Sequence, residues 1–133
     1  MRKIILNLTS STPPIRHKDT MQTISVNFKP SLGQNSYPIY IDQNILENAE
    51  LITSHLSQKR VAIVSNTTVA PLYLDKLTTT LKQHDIHSIP IIIPDGEKYK
   101  NWETLNFIYD ALIEHRCERN TAILALGGGV VGD

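Results

Sequence analysis

The last thirteen residues of the chain carry its strongest chemical signal: Thr121-Ala-Ile-Leu-Ala-Leu-Gly-Gly-Gly-Val-Val-Gly-Asp133 reads as an apolar strand running into a glycine loop. Glycine lets bare backbone amides approach an anion that a Cβ would hold away, and a helix opening at such a loop adds the positive end of its dipole. The chemistry this suits is phosphate binding. A second segment, Pro94-Asp95-Gly96-Glu97-Lys98-Tyr99-Lys100, joins turn residues to ionised groups. Glu97 suits a ribose diol, and Lys100 suits a phosphate or a carbonyl oxygen. A third, Asn66-Thr67-Thr68, offers small polar groups able to bond sugar hydroxyls. Each has a plainer reading as well. Asn66 to Thr68 can end a strand and cap the next helix, Pro94 to Gly96 can be only a turn, and the glycines can be a tight strand-to-helix connection. The sequence ends at Asp133 before any residue of the expected helix, so it reads as the front part of a larger nucleotide-using enzyme.

The elements that must position these segments follow from periodicity. Thr23 to Phe28 alternates with Ile24, Val26 and Phe28 on one face, Pro30 to Ser36 supplies turn residues, and Tyr37 to Ile41 offers a second strand, which predicts a β-hairpin. Asp42 or Asn44 is placed to cap a helix with Ile45, Leu46, Ala49, Ile52 and Leu56 on its apolar face. Arg60 to Ser65 is a short, nearly continuous apolar run, the type buried on both faces of a parallel sheet. A helix from about Ala70, with Pro71 in its first turn, precedes a strand over Ile89 to Ile93; a helix over Trp102 to Cys117 precedes the final strand over Ala122 to Leu126. This alternation predicts a Rossmann-like parallel α/β sheet with helices on both faces and an early hairpin, incomplete at its carboxyl end. Ligands of such sheets lie beyond the carboxyl ends of the strands, which is where the three polar loops fall.

The rest of the chain is quieter. Its 133 residues are 41% hydrophobic and 20% charged, ordinary for one modest globular domain, and thirteen basic residues balance thirteen acidic ones, which favours neither nucleic acid nor an anionic membrane. Residues 1 to 20, with Ser10, Ser11, Pro13 and Pro14 and no apolar period beyond the short run Ile4 to Leu8, read as a disordered extension outside the fold; a translation start at Met21 accounts for them equally well. The apolar run near the start is too short for a membrane span or an export signal, and the lone Cys117 fits a reducing cytoplasm. His17, His55, His84, His87 and His115 are scattered without metal-ligand spacing, and Trp102 and Tyr109 fall on the apolar stripe of their helix, where a core role is expected.

In order and spacing, Asn66-Thr67-Thr68-Val69-Ala70-Pro71-Leu72-Tyr73, Pro94 to Lys100, and Leu126 to Asp133 resemble the amino-terminal part of the 3-dehydroquinate synthase family, and Tyr37 to Ile41 is similar to its early strand. The resemblance runs from Met21 to Asp133. It implies an NAD- and metal-dependent carbon-oxygen lyase of aromatic amino acid biosynthesis, acting on a phosphorylated sugar acid, cytoplasmic and with a homodimer as one option for its assembly. Carried over residue by residue, it implies that Asp95, Gly96, Glu97, Lys98, Tyr99 and Lys100 and Gly129, Val130, Val131, Gly132 and Asp133 line the NAD site. The amides of Gly128 to Val130 take the pyrophosphate, and Asn66 and Thr68 lie near the adenosine ribose. The family's metal ligands, for zinc or cobalt, and its substrate-binding side chains belong to the part after the glycine loop. No catalytic or metal-ligating residue is therefore expected in this chain, and it is expected to be inactive and to bind NAD weakly or not at all. An iron-type alcohol or glycerol dehydrogenase-like enzyme carries a similar glycine loop and is one alternative; a non-catalytic nucleotide-binding module is the other.

Overall fold

The computed structural model describes residues 3–6, 21–27 and 37–132, which fall into two units, one around residues 12–45 and one comprising residues 1–11 and 46–133. In the smaller unit β2 (Gln22–Val26) and β3 (Tyr37–Ile41) pair antiparallel, with Ile24 opposite Ile39 and Gln22 opposite Ile41. The hairpin strands are thus present. Phe28 and the expected turn at Pro30 to Ser36 lie outside the described residues. Ile24, Val26, Tyr37, Ile39 and Ile41 share one face of this ribbon, and of these Ile24, Tyr37, Ile39 and Ile41 are exposed.

The larger unit is a parallel sheet in the order β1-β6-β4-β5, built from β1 (Lys3–Leu6), β4 (Arg60–Asn66), β5 (His87–Ile93) and β6 (Ala122–Leu126). Central β4 is held on one side by β5, with Asn66 opposite Ile93, and on the other by β6, with Ser65 opposite Leu126. Both its faces are buried, which explains its unbroken Val-Ala-Ile-Val run. Val61 and Ile63 point into one core with Leu77 and Leu81 of α2 (Ala70–Gln83) and with Ile52 of the single-turn α1 (Glu50–Thr53). Ala62 and Val64 point into the other, with Ile89, Ile91 and Ile93 of β5 and Leu112 of α3 (Trp102–Glu114). The helices therefore lie on opposite faces, as the strand-helix alternation requires.

Three expectations need correction. The segment read as an extension contributes β1, which pairs parallel with β6, Lys3 opposite Ile123 and Leu6 opposite Leu126. The Ile-Ile-Leu run is a strand former by composition, and β6 would otherwise present an open edge of unpaired amides and carbonyls; residues 7–20 lie outside the described residues. The helix expected after Asp42 or Asn44 is broken into a 3-10 turn at Ile45–Glu47 and α1, with Asn44 in the left-handed region at φ 58° and Asp42 accepting from the adjacent Gln43 amide instead of capping a helix. Its Leu46, Ala49 and Ile52 are nonetheless buried, so burial rather than helix continuity is what the apolar spacing encoded. Finally, the chain does enter its last helix: α4 (Gly129–Gly132) begins within the glycine loop itself.

Leu77 is fully buried between α2 and the sheet. Leu77→Ala is expected to destabilise the larger unit by about 3 kcal/mol, read as a lowered midpoint in urea denaturation followed by far-ultraviolet circular dichroism.

Candidate functional site

The site is set by the way the chain crosses β4. From β4 it passes through α2 to β5 on one side, then through α3 to β6 on the other. The carboxyl ends of β4 and β6 are thus a switch point, where consecutive loops diverge and leave a crevice. The loops after β4, β5 and β6 all open at this edge, because the strands are parallel and end in register.

Asp95 ties the first two loops together. Asn66 donates from Nδ2 to Asp95 Oδ1 at 2.6 Å, and Thr68 donates from Oγ1 to Asp95 Oδ2 at 2.8 Å. Asn66 Oδ1 accepts from the Val69 amide at 2.8 Å, at the entrance to α2. Asn66 thus performs the helix-entry role that its position suggested, is 4% exposed, and holds the neighbouring loop with its other end. Thr68 and Asp95 stay exposed. The Thr67 amide adds a 3.0 Å bond to the Ile93 carbonyl at the end of β5.

Beyond Asp95 the chain turns at Gly96, whose φ of 114° and ψ of 150° are strained for any residue with a Cβ. A 3-10 turn at Glu97–Tyr99 follows, and Asn101 then caps α3 by accepting from the Thr104 amide at 2.9 Å. Within this turn Lys100 and Glu97 form an ion pair at 3.3 Å, and Lys98 lies 4.9 Å from the centre of the Tyr99 ring. The carboxylate and the ammonium singled out in the sequence are brought together, against each other.

The glycine loop divides into positions with different duties. A Cβ on Gly127 would lie 2.9 Å from Val131 Cγ2, so this glycine is required for α4 to pack against the end of β6. A Cβ on Gly128 would meet nothing within 4 Å, and Gly128 and Gly129 are exposed while Gly132 is buried. The carbonyl of Gly128 accepts from Val131 and Gly132. Asp133 lies outside the described residues.

Next to this loop an apolar cavity of about 610 Å³ opens between α3 and the sheet, lined by Trp102, Leu105, Tyr109, Ile123, Val130 and Val131 among others. Trp102 and Tyr109, expected in the core, are 78% and 53% exposed there. Their face of α3 has apolar spacing, but on it only Leu112 is buried, while Leu105 and Ile108 are half-buried beside the cavity. Sequence reasoning also missed Ser65. Its hydroxyl donates to the Leu126 carbonyl at 2.8 Å from a fully buried position, and a lone hydroxyl at the end of an apolar strand was the available signal.

Among the described residues no three histidine, cysteine, aspartate or glutamate side chains converge as metal ligands, and no helix is long and apolar enough to cross a membrane.

A parallel α/β sheet whose polar and glycine-rich loops meet over a switch point defines a protein of the Rossmann-like class. The comparisons carry the assignment further. The family model for the amino-terminal domain of 3-dehydroquinate synthase matches residues 90–133. The 3-dehydroquinate synthase of Nitrosospira multiformis is 61% identical over 113 residues, which is 85% of this chain and 31% of the relative. That of Nitrosomonas europaea is 50% identical over 115 residues, 86% of this chain and 31% of the relative, and that of Pseudomonas entomophila 52% over 113 residues, 85% and 29%. The chain is thus similar in sequence to 3-dehydroquinate synthases over most of its own length, and it spans about three tenths of the length of the curated relatives it matches.

The two structural glycines separate from the third by stability. Gly96→Ala and Gly127→Ala are each expected to lower unfolding free energy by about 1–3 kcal/mol, while Gly128→Ala stays within about 0.5 kcal/mol of the parent. Thermal unfolding of the three variants side by side checks this ordering.

Proposed function

We propose that this chain is the NAD-binding front part of a 3-dehydroquinate synthase, the lyase that converts 3-deoxy-arabino-heptulosonate 7-phosphate to 3-dehydroquinate with loss of phosphate. The observation that carries the reading is the meeting of three loops at one sheet edge, with exposed Gly128 leaving open space where a side chain would stand. Open backbone at a strand-to-helix turn suits a pyrophosphate, whose oxygens need amides at close range. The residues thus fit the cofactor. The amides of Gly128, Gly129 and Val130 would hold the pyrophosphate, and Val131, Gly132 and Asp133 would continue the lining. Asp95 to Lys100 would close the other side, with Glu97 facing a ribose diol, Lys100 facing an anionic or carbonyl oxygen, and Asn66 and Thr68 bordering the adenosine ribose.

When bound, NAD would accept a hydride from a substrate carbinol carbon; a ketone there acidifies the adjacent C–H and so eases the departure of phosphate from the next carbon along. This chain's own residues bind and orient it. The described residues do not fit a divalent metal, so no step is assigned to one here. The zinc or cobalt of the reading, the substrate contacts and the catalytic groups fall to the part of the relatives' length that this chain does not span. In this reading the enzyme works in a reducing cytoplasm, with a homodimer as one option for its assembly. The apolar cavity beside α3 and the exposed Trp102, Phe107 and Ile113 suit burial against that further polypeptide.

Calorimetric titration with NAD tests the reading, comparing this chain with a version extended through the part its relatives carry. The extended protein is expected to bind and the short chain to bind weakly or not at all; tight binding by the short chain would instead favour a self-contained nucleotide-binding module. In the extended protein Gly128→Ala is expected to reduce NAD affinity at least about tenfold, roughly 1.4 kcal/mol, with little change in melting temperature.

A further inference from the structure

The three loops at the sheet edge are held by one short stretch at the end of β4. Ser65 reaches sideways to β6, donating to the Leu126 carbonyl at 2.8 Å, while Asn66 and Thr68 reach the opposite way to Asp95 at 2.6 and 2.8 Å. Ser65 and Leu126 are both fully buried, so no water competes for that bond. The Leu126 carbonyl belongs to the same planar peptide unit as the Gly127 amide, and in a trans unit the N–H points opposite to the C=O. No peptide bond here is cis. Fixing the carbonyl therefore fixes the direction in which the chain leaves β6 and enters the glycine loop. Gly127 itself has no side chain to do this, and the bond from Ser65 supplies the constraint that three successive glycines cannot.

We propose that Ser65 is a positioning residue for the nucleotide-binding edge: its buried hydroxyl orients the Leu126–Gly127 peptide and so sets the direction of the loop that carries the Gly128–Val130 amides, without touching the nucleotide. Together with the Asn66 and Thr68 bonds to Asp95, it sets the separation of the glycine loop from the Asp95–Lys100 loop. The nucleotide part of this claim rests on the function proposed above; the orienting part does not.

The test is amide hydrogen exchange and nitrogen-15 chemical shifts measured by nuclear magnetic resonance on this chain without nucleotide. Ser65→Ala is expected to shift the Gly127 and Gly128 amides and to speed their exchange about tenfold, with Val61 to Val64 and Asp95 little changed, and Ser65→Thr, which keeps the hydroxyl, is expected to restore the parent pattern. Ser65→Cys keeps nearly the same volume with a weaker donor and gives the reading if the alanine variant does not fold. Unchanged glycine amides, or exchange accelerated evenly along β4, β5 and β6, would overturn the proposal, the second outcome marking Ser65 as a packing residue only. Adding millimolar NAD to the parent chain then separates the two claims: shifts at Gly127 to Gly129 that weaken in Ser65→Ala support both, whereas no shifts in the parent count against the nucleotide reading alone and leave the orienting claim decided by the exchange data.

Discussion

The double pairing of β4 is the constraint on which the larger unit depends. A strand flanked by β5 and β6, with helices over both faces, has to be apolar on both sides along its length. It has to turn polar where it emerges. Val61 to Val64 meet the first demand, and Ser65, Asn66 and Thr68 meet the second within a few residues. The change from buried apolar to hydrogen-bonding side chains is abrupt because the sheet edge is abrupt. Once β4 is placed, the opposite directions of the two crossovers place the crevice, and the polar residues at its end decide how the adjoining loops stand beside it.

The glycines show why a motif should be read position by position. Three in a row look like one device for admitting an anion. Gly127, however, is excluded from bearing a side chain by Val131 of its own chain, at 2.9 Å from where a Cβ would stand, whereas Gly128 is open. The first glycine brings α4 close to β6; only then does the second face outward at the crevice. Close packing of the turn and approach of a ligand are different requirements met by adjacent residues, and only the second is chemistry.

Much of this was legible in the sequence. The limits of β6 and the starts of α2, α3 and β4 follow from apolar runs, from Pro71 at a helix start and from the polar residues that interrupt them. The grouping of the three loops follows from parallel topology alone. What could not be read were features that depend on partners distant in the chain. The pairing of Lys3–Leu6 with β6 is a contact across more than a hundred residues, and nothing local distinguishes it from a short apolar tail. The exposure of Trp102 and Tyr109 is of the same kind: a helix stripe reports that a face wants burial, not whether anything covers it. The broken helix near Ile45 differs: Leu46, Glu47, Ala49, Glu50 and Leu51 are good helix formers, so both propensity and apolar spacing argued for continuity, and only Asn48 among them is a poor helix former.

The charged groups of the Asp95–Lys100 loop are held differently, Asp95 on one side and the Glu97–Lys100 pair on the other, and the difference bears on how the loop could work. Asp95 accepts two hydrogen bonds at 2.6 and 2.8 Å, one from a buried amide, and these anchor the root of its loop to β4. Glu97 and Lys100 pair at 3.3 Å with the glutamate side chain 75% exposed. Exposed carboxylates in such pairs gain little, between nothing and about 1 kcal/mol, so an incoming ribose needs little to draw Glu97 away from Lys100. Between them stands Gly96, whose backbone conformation turns the chain from the anchored part to the exchangeable one. A loop with a fixed root and a labile tip keeps its charged groups within reach of the crevice while leaving them able to change partners, and the ion pair keeps the two charges compensated until they do.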